Sequence, residues 1–281
     1  MPPSEESSRQ RPPRLGVVSY LNAQPLTYAI ERLNQDVEVT VDLPSRLADG
    51  LADGRFDVAL IPSIECFRQP GTTVISDACV ACEGPVLSIK LYSRVPIDRI
   101  ASLLVDEGSR TSAAMTRILL KERFGLEPKV ESLPIGRSLL DMTADAAMVI
   151  GDRGLLPPQG VFEEVWDMGE QWTDWTGLPF VFAMWVARPE CSRHSFDLAS
   201  LGQLLNEARD EGVTQLATIA QNEASRLGLP PEQCLVYLRD HLEFHLGNRQ
   251  RQGLDRFREL AQEHGLCPPG AEVAFRDQSN S

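Results

Sequence analysis

Two stretches of the chain follow the same order of apolar and polar segments, and that order constrains the fold more than any other feature. In the first, Leu15 to Ser19 is a short apolar run that ends in a polar turn. Pro25 then suits the first turn of a helix reaching about Leu33. Val37, Val39, Val41 and Leu43 alternate, which predicts a strand with one buried face. Ser45, after Pro44, can cap a short helix ending near Gly54. Asp57 to Ile61 is a compact buried strand, and Pro62 to Glu65 opens another helical turn. Strand, helix, strand, helix, strand in so short a length calls for a parallel sheet.

The second stretch repeats the order without repeating the sequence. Ser102 to Asp106 reads as a strand and Ala113 to Phe124 as a helix ended by Gly125. Lys129 to Leu133 is a strand, Gly136 to Met142 helical, and Ala146 to Ile150 a strand stopping at Gly151-Asp152. Two long apolar strands, Val86–Ser93 and Phe180–Arg188, are expected to cross between the units. From Ser195 the pattern is helical, over about 195–212, 214–227, 231–246 and 249–264, and Leu198, Leu201, Leu204 and Leu205 form an apolar stripe. The expected architecture is α/β: two lobes, two crossover strands and a helical C-terminal part. Lobe 1 takes residues 15–90 and 189–275, lobe 2 residues 91–188, and residues 1–14 are a disordered tail. This is the layout of a type II periplasmic-binding-protein-like fold, with its ligand in the cleft between lobes that close by a hinge.

Composition is that of an ordinary soluble globular protein, and the net charge of −13 argues against nucleic acid and anionic membrane surfaces as partners. An anionic ligand would gain nothing from long-range attraction, so local donors must hold it. Residues 1–14 are polar and proline-rich with no apolar core, which does not fit a secretory signal. No stretch approaches the roughly 18 apolar residues of a membrane span. The six cysteines therefore read as reduced cytosolic thiols, and Cys79-Val-Ala-Cys82 is a lone pair where zinc needs four ligands.

Ligands of open α/β sheets sit at the carboxyl ends of strands. The polar turns there are Ser19-Tyr20-Leu21-Asn22, Ser63, Ser109-Arg110-Thr111-Ser112 and Gly151-Asp152. Ser109–Ser112 starts a helix, so its N–H groups, hydroxyls and helix dipole suit an anion; a cap with nothing bound is the plainer alternative. Asn22 can serve as a ligand donor and acceptor or simply close an Asx turn. Ser88, on the alternation of Val86, Lys90 and Tyr92, faces either the cleft or a strand neighbour, without a nucleophile elbow around it. All four tryptophans lie between Trp166 and Trp185, flanking the turn Thr173–Gly177. They either wall a site for a flat polar ligand or seal a domain edge. All four histidines follow the second crossover. His241 and His245, four apart, are expected on one solvated helical face and do not form the zinc-protease pattern. No phosphate-binding loop is present.

Six strings occur in order: Ser19–Leu26 (SYLNAQPL), Ala59–Glu65 (ALIPSIE), Gly84–Ser88 (GPVLS), Ser109–Ser112 (SRTS), Ile150–Asp152 (IGD) and Trp175–Trp185 (WTGLPFVFAMW). Together they resemble the chorismate dehydratase family of the futalosine route to menaquinone, over about Leu15 to Arg188. The polar N-terminal tail and Gln24 are the departures. The resemblance implies a cytoplasmic hydro-lyase that converts chorismate to 3-[(1-carboxyvinyl)oxy]benzoate. The ring C4 hydroxyl leaves, a C3 proton is lost and the ring becomes aromatic. It also implies site residues: Asn22 and Ser88 catalytic, the Ser109–Ser112 helix start holding a carboxylate, and Trp175 and Thr176 walling the ring. Tyr20, Leu21, Ser63, Gly151 and Asp152 complete the substrate-binding set. Glu65 and Asp152 are the only carboxylates within the strings, so the substrate's own enolpyruvyl carboxylate is the expected base. No metal or organic cofactor is expected, because the elimination is redox-neutral. A monomer and a homodimer both fit. Two rivals stand beside this reading. One is the sister enzyme forming 1,4-dihydroxy-6-naphthoate, which should need a histidine in the cleft. The other is a cytosolic binding protein for an aromatic carboxylate.

Overall fold

The computed structural model describes residues 11–156, 160–189 and 196–276. Residues 1–10 of the expected tail, Cys191 and His194 lie outside them. Twelve strands are described: β1 Arg14–Val18, β2 Glu38–Asp42, β3 Val58–Pro62, β4 Thr73–Cys82, β5 Lys90–Ser93, β6 Ser102–Asp106, β7 Lys129–Leu133, β8 Ala146–Val149, β9 Glu164–Asp167, β10 Phe180–Ala187, β11 Glu243–His245 and β12 Ala274–Phe275. They form two sheets, as the doubled pattern requires. The large sheet runs β11-β4-β10-β3-β1-β2 with β12 beside β4, and the small one β7-β6-β8-β5-β9. β1, β2 and β3 are mutually parallel, as are β7, β6 and β8. β3 and β10 are buried along their whole length, which explains their unbroken apolar sequence. β2 is an edge strand and its Val41 is exposed, so the alternation there marks a far shallower face than expected.

Five local expectations fail. Phe180–Ala187 does not cross between lobes. It inserts antiparallel between β3 and β4, because eight consecutive buried residues need sheet neighbours on both sides. Lobe 2's sheet therefore closes at Asp167, not near residue 188. The outgoing segment is strand only from Lys90. Pro85 lacks an N–H, and Leu87 is left-handed at φ 59°, so neither residue suits a ladder. The tryptophan segment is not a turn: Met168–Thr176 is a helix capped by Asp167 and stopped by left-handed Gly177. The helix expected over 231–246 ends at Asp240, and Glu243–His245 pairs with β4. His241 and His245 thus do not share a helical face: His241 Nδ1 lies 2.8 Å from the Pro85 carbonyl. The helix over 136–142 shrinks to a single 3-10 turn, Leu139–Asp141.

Asp167 ties the two crossings together. Its carboxylate accepts from the N–H groups of Val86 (2.9 Å) and Leu87 (2.7 Å) on the outgoing segment. It also accepts from Gly169 and Glu170 on the return helix and from Lys90 Nζ at 2.8 Å. These bonds hold the left-handed Leu87 in place and fix the residue after it, Ser88.

The near end of the expected tail is also anchored. Arg11 donates two bonds, at 2.6 and 2.8 Å, to the fully buried carboxylate of Asp57, and Arg14 adds its backbone N–H at 3.0 Å. Burial alone would raise the Asp57 pKa, but the bonds from Arg11 and Arg14 outweigh it and hold the carboxyl well below the usual range. A depressed folded pKa contributes stability above the unfolded value and loses it as pH falls through the folded one. Asp57→Asn should therefore unfold at lower urea than wild type at neutral pH. The gap should narrow once pH drops below about 4. Urea midpoints at several pH values measure it, and a gap independent of pH would contradict the assignment.

Candidate active site

The carboxyl ends of β1, β3, β6 and β8 meet in one cleft between the lobes, as the switch-point rule anticipates. The cavity itself is small, about 50 Å3. Polar side chains lining it are Tyr20, Asn22, Ser109, Arg110, Thr111 and Ser112, with Gly108 and Gly151 exposing backbone. Val18, Val80, Ile89, Ile150 and Phe182 make its apolar walls. Seven of the expected site residues are thus brought together: Tyr20, Asn22, Ser109, Arg110, Thr111, Ser112 and Gly151.

The helix Thr111–Phe124 points its N-terminus into this cleft, and no side chain caps its first-turn N–H groups. Ser109 Oγ is buried and has no hydrogen-bond partner among the described residues. Its hydroxyl is therefore not committed to another protein group. Arg110, the one cationic side chain of the lining, is already paired with Asp49 at 2.7 Å and Glu65 at 3.3 Å. An anion here must therefore rely on N–H groups and hydroxyls, as the net charge requires.

Tyr20 lies against glycines of the opposite lobe. A methyl on Gly151, itself at φ +63°, would sit 2.7 Å from the tyrosine ring, and one on Gly108 would sit 2.9 Å from its hydroxyl. Only glycine admits so close an approach. Burial, then the neighbouring Asp106 carboxylate, raises the Tyr20 phenol well above its ordinary pKa, so it stays a neutral donor.

Six expected site residues do not line the cleft. Leu21 and Asp152 serve its closure: the Leu21 N–H donates to Asp152 Oδ1 at 2.8 Å, and Arg226 pairs with the other oxygen at 2.9 Å. Ser63 donates to the Val181 carbonyl at 2.7 Å and touches Thr111 Oγ1 at 3.4 Å, again across the lobes. Ser88 lies fully buried just beneath the wall, accepting a bond from the Tyr237 hydroxyl at 2.8 Å. Trp175 packs edge-on against Trp172, and Thr176 bonds back to the Trp172 carbonyl. The aromatic wall is instead Phe182 with Tyr20. Phe182 stands two residues from Phe180, so alternation puts the two rings on one face, 4.8 Å apart, and the ladder to β4 shifts register between Val181 and Ala183. Tyr237, from the C-terminal helix Pro231–Asp240, had no motif to betray it.

The carboxylates around the cleft are all committed. Glu65 is paired with Arg68 at 3.0 Å and with Arg110. Asp106 is buried behind Gly108, whose N–H it accepts at 3.0 Å, and burial raises its pKa. No carboxylate, histidine or lysine side chain lines the cleft among the described residues. The described residues also hold no cluster of three or more His, Cys, Asp or Glu suited to a metal.

A family model described as menaquinone biosynthesis matches residues 13–263. The chain belongs to this family. Chorismate dehydratase of Thermus thermophilus is 32% identical over 266 residues, covering 89% of this chain and 95% of that protein. Among solved structures, a protein of Archaeoglobus fulgidus superposes with TM-score 0.68 at 14% identity, covering 92% of this chain and 99% of its own. The periplasmic aliphatic sulphonate binding protein of Escherichia coli gives 0.61 at 14%, covering 96% and 95%. At such identities the likeness is one of fold, and the family shares the two-lobed architecture of periplasmic binding proteins. The six strings map onto the cleft and its supports: five contribute lining residues, Glu65 of the second also braces Arg110, and Ser88 of the third sits one layer below.

Proposed function

We propose that this chain eliminates water from chorismate to give 3-[(1-carboxyvinyl)oxy]benzoate, in the cytoplasm, as a step of the futalosine route to menaquinone. One observation carries the reading: the cleft offers many neutral donors and no base. Chorismate needs that combination. Its ring carboxylate, bound at the start of the helix Thr111–Phe124, draws charge from C3 through the ring and acidifies the C3–H. Its enolpyruvyl carboxylate lies close to C3 and takes the proton. The C3–H electron pair becomes the new ring double bond, the C4–O bond breaks, and hydroxide leaves to become water. Asn22 holds the substrate and assists that departure, and Ser88 acts from the layer beneath it. The apolar walls strengthen every such hydrogen bond by excluding water. A relative named chorismate dehydratase and the order of the six strings support this assignment.

The carboxylate variants test it. Glu65→Gln, Asp106→Asn and Asp152→Asn should each keep turnover of chorismate within about tenfold of wild type, because none is the base; a lost general base would remove roughly 100- to 10,000-fold. Asn22→Ala should lower turnover by about 100-fold, the usual effect of deleting one positioned donor. Abolished turnover in a folded, chorismate-binding Asp152→Asn protein would install a protein base instead. Stabilisation by chorismate without any product would favour a binding protein.

A further inference from the structure

We propose that Tyr237 is a positioning residue that orients Ser88 for the elimination, an inference that rests on the dehydratase reading above. Tyr237 comes from a helix far along the chain, yet its ring is 1% exposed and its hydroxyl reaches the segment between the sheets. That hydroxyl donates to Ser88 Oγ at 2.8 Å. A phenol has a single proton, and with that proton given to Ser88 the serine keeps its own free to donate. The bond sets the direction of the Ser88 hydroxyl, and a hydroxyl that accepts one bond is polarised as the donor of the next. Burial raises the phenol pKa well above its ordinary value, so Tyr237 keeps its proton at working pH.

The bond joins the segment between the sheets to the helix Pro231–Asp240. Packing alone would be satisfied by a phenylalanine ring in the same place. The hydroxyl is what holds Ser88.

Tyr237→Phe keeps the ring and removes the link. With chorismate as substrate, kcat should fall by about 100-fold while KM stays within about threefold, since no group that binds substrate directly is lost. The double variant Tyr237→Phe/Ser88→Ala should be no slower than Ser88→Ala alone, because the two act as one unit. Multiplicative losses, or a kcat close to wild type in Tyr237→Phe, would overturn the proposal. If wild type fails to turn over chorismate, the dehydratase reading fails and the positioning claim is judged by crystallography of Tyr237→Phe. The Ser88 hydroxyl should rotate away from its place opposite residue 237. A Ser88 side chain in an unchanged rotamer would sink the claim whatever the activity.

Discussion

Gly154→Ala should leave a protein that turns over chorismate at least about 100-fold more slowly than wild type. A methyl at this position would lie 2.0 Å from the Ser88 carbonyl oxygen and 2.5 Å from its carbonyl carbon. These are backbone atoms and cannot rotate aside. The segment that carries Ser88 has no slack either: Leu87 is already left-handed, and the N–H groups of Val86 and Leu87 are held by Asp167. The short helix Asp152–Leu155 and the Ser88 segment must separate. Separation pulls Ser88 from Tyr237 and loosens Asp152 from the Leu21 N–H, so floor and latch fail together. Overpacking of this kind costs about 1–3 kcal/mol, which a domain of this size survives. Steady-state kinetics with a urea titration separate the two effects. Turnover within about threefold of wild type would show that the Ser88 segment is not part of the working site.

The largest loss of stability is expected at Trp172. It is fully buried, its indole N–H donates to the Pro179 carbonyl at 3.3 Å, and its ring meets Trp175, Phe180 and Phe257 at centroid distances of 6.0, 4.9 and 6.1 Å. Trp172→Ala leaves a cavity at the junction of the return helix, β10 and the helix Asn248–Glu263, and should cost about 3–5 kcal/mol. Its neighbour supplies the contrast. Trp175 is only partly buried and does not line the cleft. Trp175→Ala should lower the melting temperature by less, with kcat and KM within about threefold of wild type. A strong rise in KM would restore the aromatic wall to Trp175.

These two cases mark where the sequence could and could not be read. The βαβ order was legible because parallel strands need apolar runs, and the strand ends then located Tyr20, Asn22, Ser109–Ser112 and Gly151 on one cleft. The polar turns were legible because they stand where ordinary packing has no need of them. Tryptophan clustering misled, since a helix in contact with β10 and an exposed turn carry the same residues; the helical start at Asp167 was the missing clue. The crossover strands misled because an unbroken apolar run is equally a central strand, and β10 was one. Ser88 was identified as important but placed on a strand, because alternation in Val86–Tyr92 cannot report a left-handed Leu87. Tyr237 was invisible: no local pattern announces a tyrosine whose partner lies more than a hundred residues away.

The central claim is that this cleft converts chorismate with no base from the protein. It is tested most directly by mixing purified protein with chorismate and following the mixture by mass spectrometry, with wild type beside Asn22→Ala. The account predicts a product lighter than chorismate by one water and aromatic in its ultraviolet spectrum, formed by wild type and strongly slowed in Asn22→Ala. Chorismate that is bound, recovered unchanged and never dehydrated would contradict it.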